Sequence, residues 1–314
     1  MKTIGLMTTR NESWILKTTL PQLKRFVDDF IILDGRSTDG TPAFVESLGG
    51  TVLPQGDDVI QESTWRQSLL EAGRKKGGTH FIILDADEAF TTNFLRTARQ
   101  RLEVMKPGEK LVLDWLCLWK DAYKMRVDPS FWSNSSKDFV FCDDQTSEYA
   151  SVWLHSGRTP GKPDQSKSIR IPRQEGSVLH FQFVPFARFQ IKQAYLRCLE
   201  WVNRAAQAWE INSKYAPTLD DGSAVCDPIP PGWMDGISHL DKLRDQDLDW
   251  FYPAICDFFK KHGILFFEPL QIWHVPDLLS EFRRQIGRDP EPMQRAPLFE
   301  RIRYKIRRLV KTAQ

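Results

Sequence analysis

The sequence predicts an α/β fold: a mostly parallel sheet flanked by helices, Rossmann-like, followed by a helical C-terminal extension. Two observations carry this. Over the first 118 residues, short apolar runs alternate with stretches whose apolar residues recur at helical spacing. Three of those apolar runs also end in polar or acidic clusters, as strands do when their C-terminal ends line one edge of a parallel sheet.

Residues 3–8 read as a buried strand ending in Thr9-Arg10-Asn11-Glu12. A helix follows, with Leu16, Leu20, Leu23 and Val27 on one face, Ser13 as its N-cap and Pro21 as a bend. Residues 30–33 form a second strand with Asp34 at its end, then the turn Gly35-Arg36-Ser37-Thr38-Asp39-Gly40. Thr41-Pro42 opens a short helix, Gly49-Gly50 stops it, and 51–53 is a third strand. The helix over 63–76 carries Arg74, Lys75 and Lys76 in its last turn, where they suit the helix dipole, before Gly77-Gly78. The fourth strand is Phe81-Ile82-Ile83-Leu84, closing in Asp85-Ala86-Asp87-Glu88. Leu95, Ala98, Leu102 and Met105 mark the next helix, and 111–118 the next strand.

From 119 to 171 the periodicity breaks into loops and short strands. Residues 177–183 alternate as a strand, 188–212 reads as one long aromatic-rich helix, and 248–261 and 278–286 are helical. Expected boundaries are therefore 1–185 for the α/β domain, with halves 1–118 and 119–185, and 186–314 for the helical extension. At its end Arg301, Arg303, Lys305, Arg307, Arg308 and Lys311 alternate with Ile302, Ile306, Leu309 and Val310, a basic amphipathic helix. Such a helix either docks on its own domain or lies on an anionic membrane surface.

The 314 residues are 41% hydrophobic and 27% charged, as in soluble globular chains, and a net charge of +2 argues against a general nucleic-acid binder. Eleven Trp and twenty Phe suit a large core or a sugar-stacking surface. The five cysteines are scattered with no CxxC pair, which predicts a reducing compartment and neither a zinc knuckle nor a disulfide framework. The first residues lack the apolar length of a signal peptide and no stretch reaches the roughly 20 apolar residues of a membrane span. The expectation is a cytoplasmic protein, with peripheral contact at the inner face of the membrane through its last helix.

The acids closing the fourth strand carry the chemistry. On extended chain Asp85 and Asp87 point the same way, roughly 6–7 Å apart. A hard divalent cation fits between two such carboxylates and keeps positions open for phosphate oxygens. The bland alternative is a solvated acidic turn. Neighbouring strand ends add what a nucleotide needs: a carboxylate for ribose or base, and polar groups around it.

The run Arg10-Asn11-Glu12, then Asp34-Gly35-Arg36-Ser37-Thr38-Asp39-Gly40-Thr41, then Leu84-Asp85-Ala86-Asp87-Glu88, resembles a family 2 glycosyltransferase of the GT-A fold with its Asp-x-Asp metal motif. The likeness covers about the first hundred residues. It implies transfer of a sugar from a UDP-, GDP- or dTDP-sugar donor to a hydroxyl of a glycan or lipid-linked acceptor, with inversion and with Mn²⁺ or Mg²⁺, as in polysaccharide or glycan biosynthesis. By the same resemblance Thr9, Arg10 and Glu12 line the nucleoside pocket, Asp34 contacts base or ribose, and Asp85 and Asp87 handle ribose and metal. Arg66 either reaches the diphosphate or is an exposed helix arginine. Ser37 and Asp39 stabilise their own turn. His180 is either a core histidine in an apolar strand or a further metal ligand that favours Mn²⁺. An inverting transfer needs a base, for which Asp144 and Glu148 are the candidates, with Asp143 beside them. His155 and Arg158 either meet donor phosphate or acceptor or form an ordinary polar loop.

Two other classes stay open. A nucleotidyltransferase on sugar phosphates also uses paired carboxylates and a metal, but Thr9-Arg10-Asn11-Glu12 lacks the glycine-rich loop expected of it. A non-catalytic carbohydrate- or nucleotide-binding protein would keep the fold without turnover. A phosphatase is disfavoured by Ala89, where its motif wants Thr or Val. A homodimer through the aromatic C-terminal helices is compatible with the sequence.

Overall fold

The protein is described from a computed structural model, which places all residues except 57–60, 131–132, 153–155, 162–166, 204–206, 217–218, 220–221, 223, 244–249 and 293–314. His155 and the basic segment 301–311 lie outside the described residues.

The chain folds into two compact units, the first Met1–Pro185 with Ala224–Gln246, the second Phe186–Ser223 with Asp247–Gln314. Compactness thus joins 224–246 to the α/β part. The first unit alternates strand and helix: β1 Thr3–Thr9, α1 Ser13–Phe26, β2 Asp29–Asp34, α2 Thr41–Ser47, β3 Thr51–Pro54, α3 Glu62–Lys75, β4 His80–Ile83, β5 Glu88–Phe90, α4 Thr92–Val104 and β6 Lys110–Cys117. The short strands β7 Lys124–Arg126, β8 Ser136–Cys142, β9 Ser168–Arg170 and β10 Ser177–His180 follow, and β11 Cys226–Pro228 pairs with β7.

The main sheet has the order β3-β2-β1-β4-β8-β6-β10-β5, with β9 beside β6. Strands β3, β2, β1 and β4 are mutually parallel. Strand β8 is antiparallel to both neighbours, β4 and β6, and β5 is antiparallel to β10. The order reverses at β1, whose neighbours β2 and β4 follow it on opposite sides, so the C-terminal ends of β1 and β4 flank a topological switch point. The predicted mostly parallel α/β class therefore holds. One face of this half closes on α3: Ile4, Leu6, Ile31, Leu33, Phe81, Ile83, Phe141, Leu69 and Leu70 form one buried cluster. Helix and sheet approach closely because Gly73 has no side chain; a Cβ there would stand 2.4 Å from a ring carbon of Phe81.

Several local expectations change. Ser13 opens α1 but does not cap it with its side chain; Asp39, from the turn after β2, accepts the Ser13 N–H at 2.9 Å instead. Pro21 sits within α1 without ending it. The expected strand over 177–183 stops at His180 and tightens into a 3₁₀ turn.

In the second unit the expected single helix over 188–212 is two, α5 Phe186–Asn203 and α6 Ala208–Tyr215, followed by α7 Phe251–His262 and α8 Pro276–Ile286. Tyr195 of α5 packs on Trp250, Phe251 and Phe258, at centroid distances of 5.0, 5.6 and 5.9 Å. The buried Arg197 guanidinium donates to the carbonyls of Gln193 and Tyr215, each at 3.2 Å. Among the described residues no helix is long and apolar enough to cross a membrane.

Candidate functional site at the sheet edge

At the end of β1 and β2 the polar groups knit the backbone. Asp34, buried, accepts the Thr9 hydroxyl at 3.1 Å, the Ser37 hydroxyl at 2.6 Å and the Ser37 N–H at 2.8 Å. Asn11, held at φ 54°, accepts the Thr38 N–H at 2.7 Å, and Asp39 accepts the N–H and hydroxyl of Thr41. These bonds make the turn a rigid rim. Arg10 is exposed there, and the Glu12 carboxylate accepts the Trp14 indole N–H at 2.6 Å.

The acids after β4 are not on extended chain. Residues 84–87 form a turn closed by the Glu88 N–H donating to the Asp85 carbonyl at 3.0 Å, so Asp85 and Asp87 go to different partners. This corrects the expectation of extended chain through the two acids. Asp85 Oδ2 accepts Arg158 Nη2 at 2.8 Å. Asp87 is buried, with its Oδ1 3.5 Å from His180 Nε2. The antiparallel pairing of β5 with β10 sets His180 opposite Glu88 and so beside Asp87. The imidazole stacks on Trp115 at 4.2 Å and meets Phe183 edge-on at 5.2 Å. Its buried Nδ1 has no hydrogen-bond partner among the described residues.

Glu88 is the fixed point beneath. Its side chain has no exposed surface. One oxygen accepts Trp115 Nε1 and Arg158 Nη2, each at 2.6 Å; the other accepts Arg158 Nη1 at 2.7 Å and the Asp85 N–H at 2.8 Å. Burial raises the Glu88 carboxyl above the ordinary range, with Arg158 pulling the other way. Desolvation also acts on Asp85, yet the charges of Arg158 and Arg66 hold its carboxyl below that range. The guanidinium of Arg158, buried over the Phe139 ring, is held protonated by both carboxylates against its desolvation. Lys137 lies over the Trp115 ring at 4.1 Å, its ammonium pushed down by burial and by Arg158.

At the switch point, between the ends of β1 and β4, Thr8, Arg66, Leu69, Asp85 and Tyr149, among others, pack around a narrow gap that admits no water-sized group. Arg66 is buried, not an exposed helix arginine, and pairs with Glu62 at 2.7 Å. Tyr149 donates its hydroxyl to the Arg158 carbonyl at 2.8 Å.

The structure thus brings together Thr9 with Asp34, Arg66 with Asp85, and Asp87 with His180. It does not bring Asp144 and Glu148 to them. Strand β8 runs against β4, with Cys142 opposite His80, so the residues after it leave at the sheet's other edge. There Asp143 is locked by Arg74 through two bonds of 2.8 Å, and both oxygens of Asp144 accept from Thr146 and Ser147. Against the cost of desolvation, the Ser147 and Thr146 donors hold the Asp144 carboxyl far below its ordinary value. Glu148 is exposed, next to Ser147, whose carbonyl accepts Arg74 at 2.9 Å. The chain then returns along α3, where Val152 bonds Ser63 and the Ser156 N–H bonds Glu62, and delivers Arg158 to the acidic edge. Periodicity carries no sign of that return. Trp115 and Glu88 were legible only as an apolar-strand tryptophan and an acidic neighbour.

A divalent cation would find Asp87 and His180 as a ready oxygen–nitrogen pair, which suits Mn²⁺. Among the described residues no group of three or more His, Cys, Asp or Glu converges on one point. Remaining ligands would have to come from phosphate oxygens and water.

No protein-family model matches the chain, and no curated protein matches it in sequence. Similar solved structures include S. aureus TarS 1–349 in complex with UDP-GlcNAc, at 14% identity and TM-score 0.37, covering 91% of this chain and 88% of that one. A longer TarS structure matches at 14% identity and TM-score 0.36 over 69% of this chain; only 43% of that chain is covered. Glucosyl-3-phosphoglycerate synthase from Mycobacterium tuberculosis in complex with Mn²⁺, UDP and glucosyl-3-phosphoglycerate matches at 16% identity and TM-score 0.27, over 37% of this chain and 44% of that one. At this level of likeness the fold assignment rests on the strand order itself.

Proposed function

We propose that the protein is a GT-A-type glycosyltransferase of the family 2 kind that takes a nucleoside-diphosphate sugar and moves the sugar to a hydroxyl acceptor. The observation that carries the reading is the meeting of Arg66 and Asp85 at the β1/β4 switch point, two residues from the Asp87–His180 pair. Ligands of open α/β sheets bind at such a point. The nucleoside lies against the rim that Thr9 and Asp34 hold, with Arg10 and Glu12 at its outer side. Arg66 faces the diphosphate from α3, and Asp85 accepts from ribose hydroxyls.

Asp87 and His180 would hold a divalent cation, whose chemistry is to neutralise charge growing on the departing diphosphate. Trp115 keeps the imidazole plane fixed by stacking, and Glu88 keeps Arg158 and the Asp85 backbone in place. Asp144 and Glu148 receive no chemical role, since β8 carries them to the other edge. Acceptors, whether glycan or lipid-linked, come in along the C-terminal ends of β6 and β10.

A thermal-shift panel of UDP-, GDP-, dTDP- and CMP-sugars with Mn²⁺ tests the reading. One class should raise the melting temperature and, with acceptor, release nucleoside diphosphate. Release of pyrophosphate from a nucleoside triphosphate and a sugar phosphate would instead make the protein a nucleotidyltransferase. No shift with any donor would overturn both.

A further inference from the structure

Three carboxylates, those of Asp85, Asp87 and Glu88, crowd into one turn at the edge where the proposed donor's diphosphate must sit. Such a cluster repels an anion. Among the described residues the chain offsets it with cations of its own: Lys137, Arg158 and Arg66, the last of which also pairs with Glu62. Arg158 is the best placed. Its Nη2 bridges Asp85 at 2.8 Å and Glu88 at 2.6 Å, its Nη1 takes the second Glu88 oxygen at 2.7 Å, and its side chain is only 9% exposed. A bidentate, buried guanidinium over the Phe139 ring cannot swing away as a surface lysine can. It also arrives on a segment 70 residues later in sequence than Glu88, so no local turn requirement explains it.

We propose that Arg158 is a protein-borne counter-charge of the donor site, a positioning residue that offsets the acidic turn so that nucleoside diphosphate binds even before a divalent cation arrives. The inference rests on the glycosyltransferase reading above. It makes a demand of unusual sign. Deleting the charge removes the cation that bridges two of the three acids. The anion should then be repelled more, and a divalent cation attracted more. A residue that only supported the fold would weaken both when lost. One unit charge acting across roughly 8–10 Å of partly hydrated protein is worth about tenfold in binding.

Isothermal titration of UDP, GDP and dTDP, each with Mn²⁺ and each in excess chelator, provides the test, with Mn²⁺ alone as a separate titration. Wild type should bind one of the three in chelator. Arg158→Gln should bind it about tenfold more weakly there, yet bind Mn²⁺ alone about tenfold more tightly. Arg158→Lys, which keeps the charge but not the two-pronged contact, should fall between wild type and Arg158→Gln in both titrations. Weakening of nucleotide and Mn²⁺ together in Arg158→Gln, an unchanged pair of affinities, or loss of both in Arg158→Lys would overturn the inference. Should Arg158→Gln not fold, wild type decides: binding only with Mn²⁺ overturns the inference and leaves the donor site intact. Binding of none of the three with Mn²⁺ present overturns the glycosyltransferase reading itself.

Discussion

Replacing Glu88 by Gln probes the whole arrangement with one atom. In the native turn each Glu88 oxygen accepts two hydrogen bonds, four in all. An amide must place an NH₂ against one of those donor pairs, whichever way it flips. Two buried donors then face a donor: either the Trp115 indole and Arg158 Nη2, or the Asp85 N–H and Arg158 Nη1. Each orphaned donor costs about 1–3 kcal/mol. Arg158 also loses one of its two counter-ions, and breaking a buried pair by removing one partner costs about 3–5 kcal/mol. The two figures describe overlapping losses, and Asp85 remains as a partner, so the expected destabilisation is about 3 kcal/mol. Urea unfolding followed by tryptophan fluorescence measures it. With a slope of about 2 kcal/mol per molar, the midpoint should fall by about 1.5 M. A loss under about 1 kcal/mol would refute the four-bond arrangement.

Other outcomes follow from the same contacts. Asp144→Ala should cost about 1 kcal/mol by releasing the donors of Ser147 and Thr146, while donor-dependent turnover stays within about twofold of wild type; a collapse of turnover at unchanged stability would put this acid back in the chemistry. Because the folded Asp144 carboxyl titrates below its unfolded value, its contribution is full above the ordinary carboxylate range, begins to fade as pH falls into that range and is lost as pH falls on through the lower folded value. Thermal melts from pH 7 to pH 3 should therefore fall less steeply in Asp144→Asn than in wild type. Gly73→Ala should destabilise the first unit by about 1–3 kcal/mol, because a Cβ at 2.4 Å forces Phe81 out of its place between α3 and β4; a neutral result in urea unfolding would contradict that packing. Trp115→Phe keeps a ring on His180 but removes the indole N–H, so a loss of about 1 kcal/mol with little change in Mn²⁺ affinity is expected by calorimetry.

How far the site could be read from sequence varied with the range of the interactions. The parallel half was legible because β1, β2 and β4 are buried on both faces and the helices between carry apolar stripes, signals contained within about fifteen residues. Asp34, Asp85 and Asp87 stood out because they interrupt apolar runs. The meeting of Asp87 with His180 depends on β5 turning back against β10, across some ninety residues. Only the resemblance brought His180 forward at all. The misplacement of Asp144 and Glu148 has a plain cause. A strand's direction is not written in its alternation, and β8 enters the sheet antiparallel, which sends its C-terminal acids to the far edge. Arg158 looked like one arginine in a polar loop. Only the return of the chain along α3, tied at Ser63 and Glu62, brings it under the acidic turn.

The most direct measurement is calorimetric binding of nucleoside diphosphate with Mn²⁺ to wild type, Asp87→Ala and Asp144→Ala. Wild type and Asp144→Ala should bind alike, and Asp87→Ala at least about tenfold more weakly, the loss expected when a charged partner worth 1.5–3 kcal/mol is removed. Equal affinity in Asp87→Ala, or loss in Asp144→Ala alone, would place the donor elsewhere than at the β1/β4 edge.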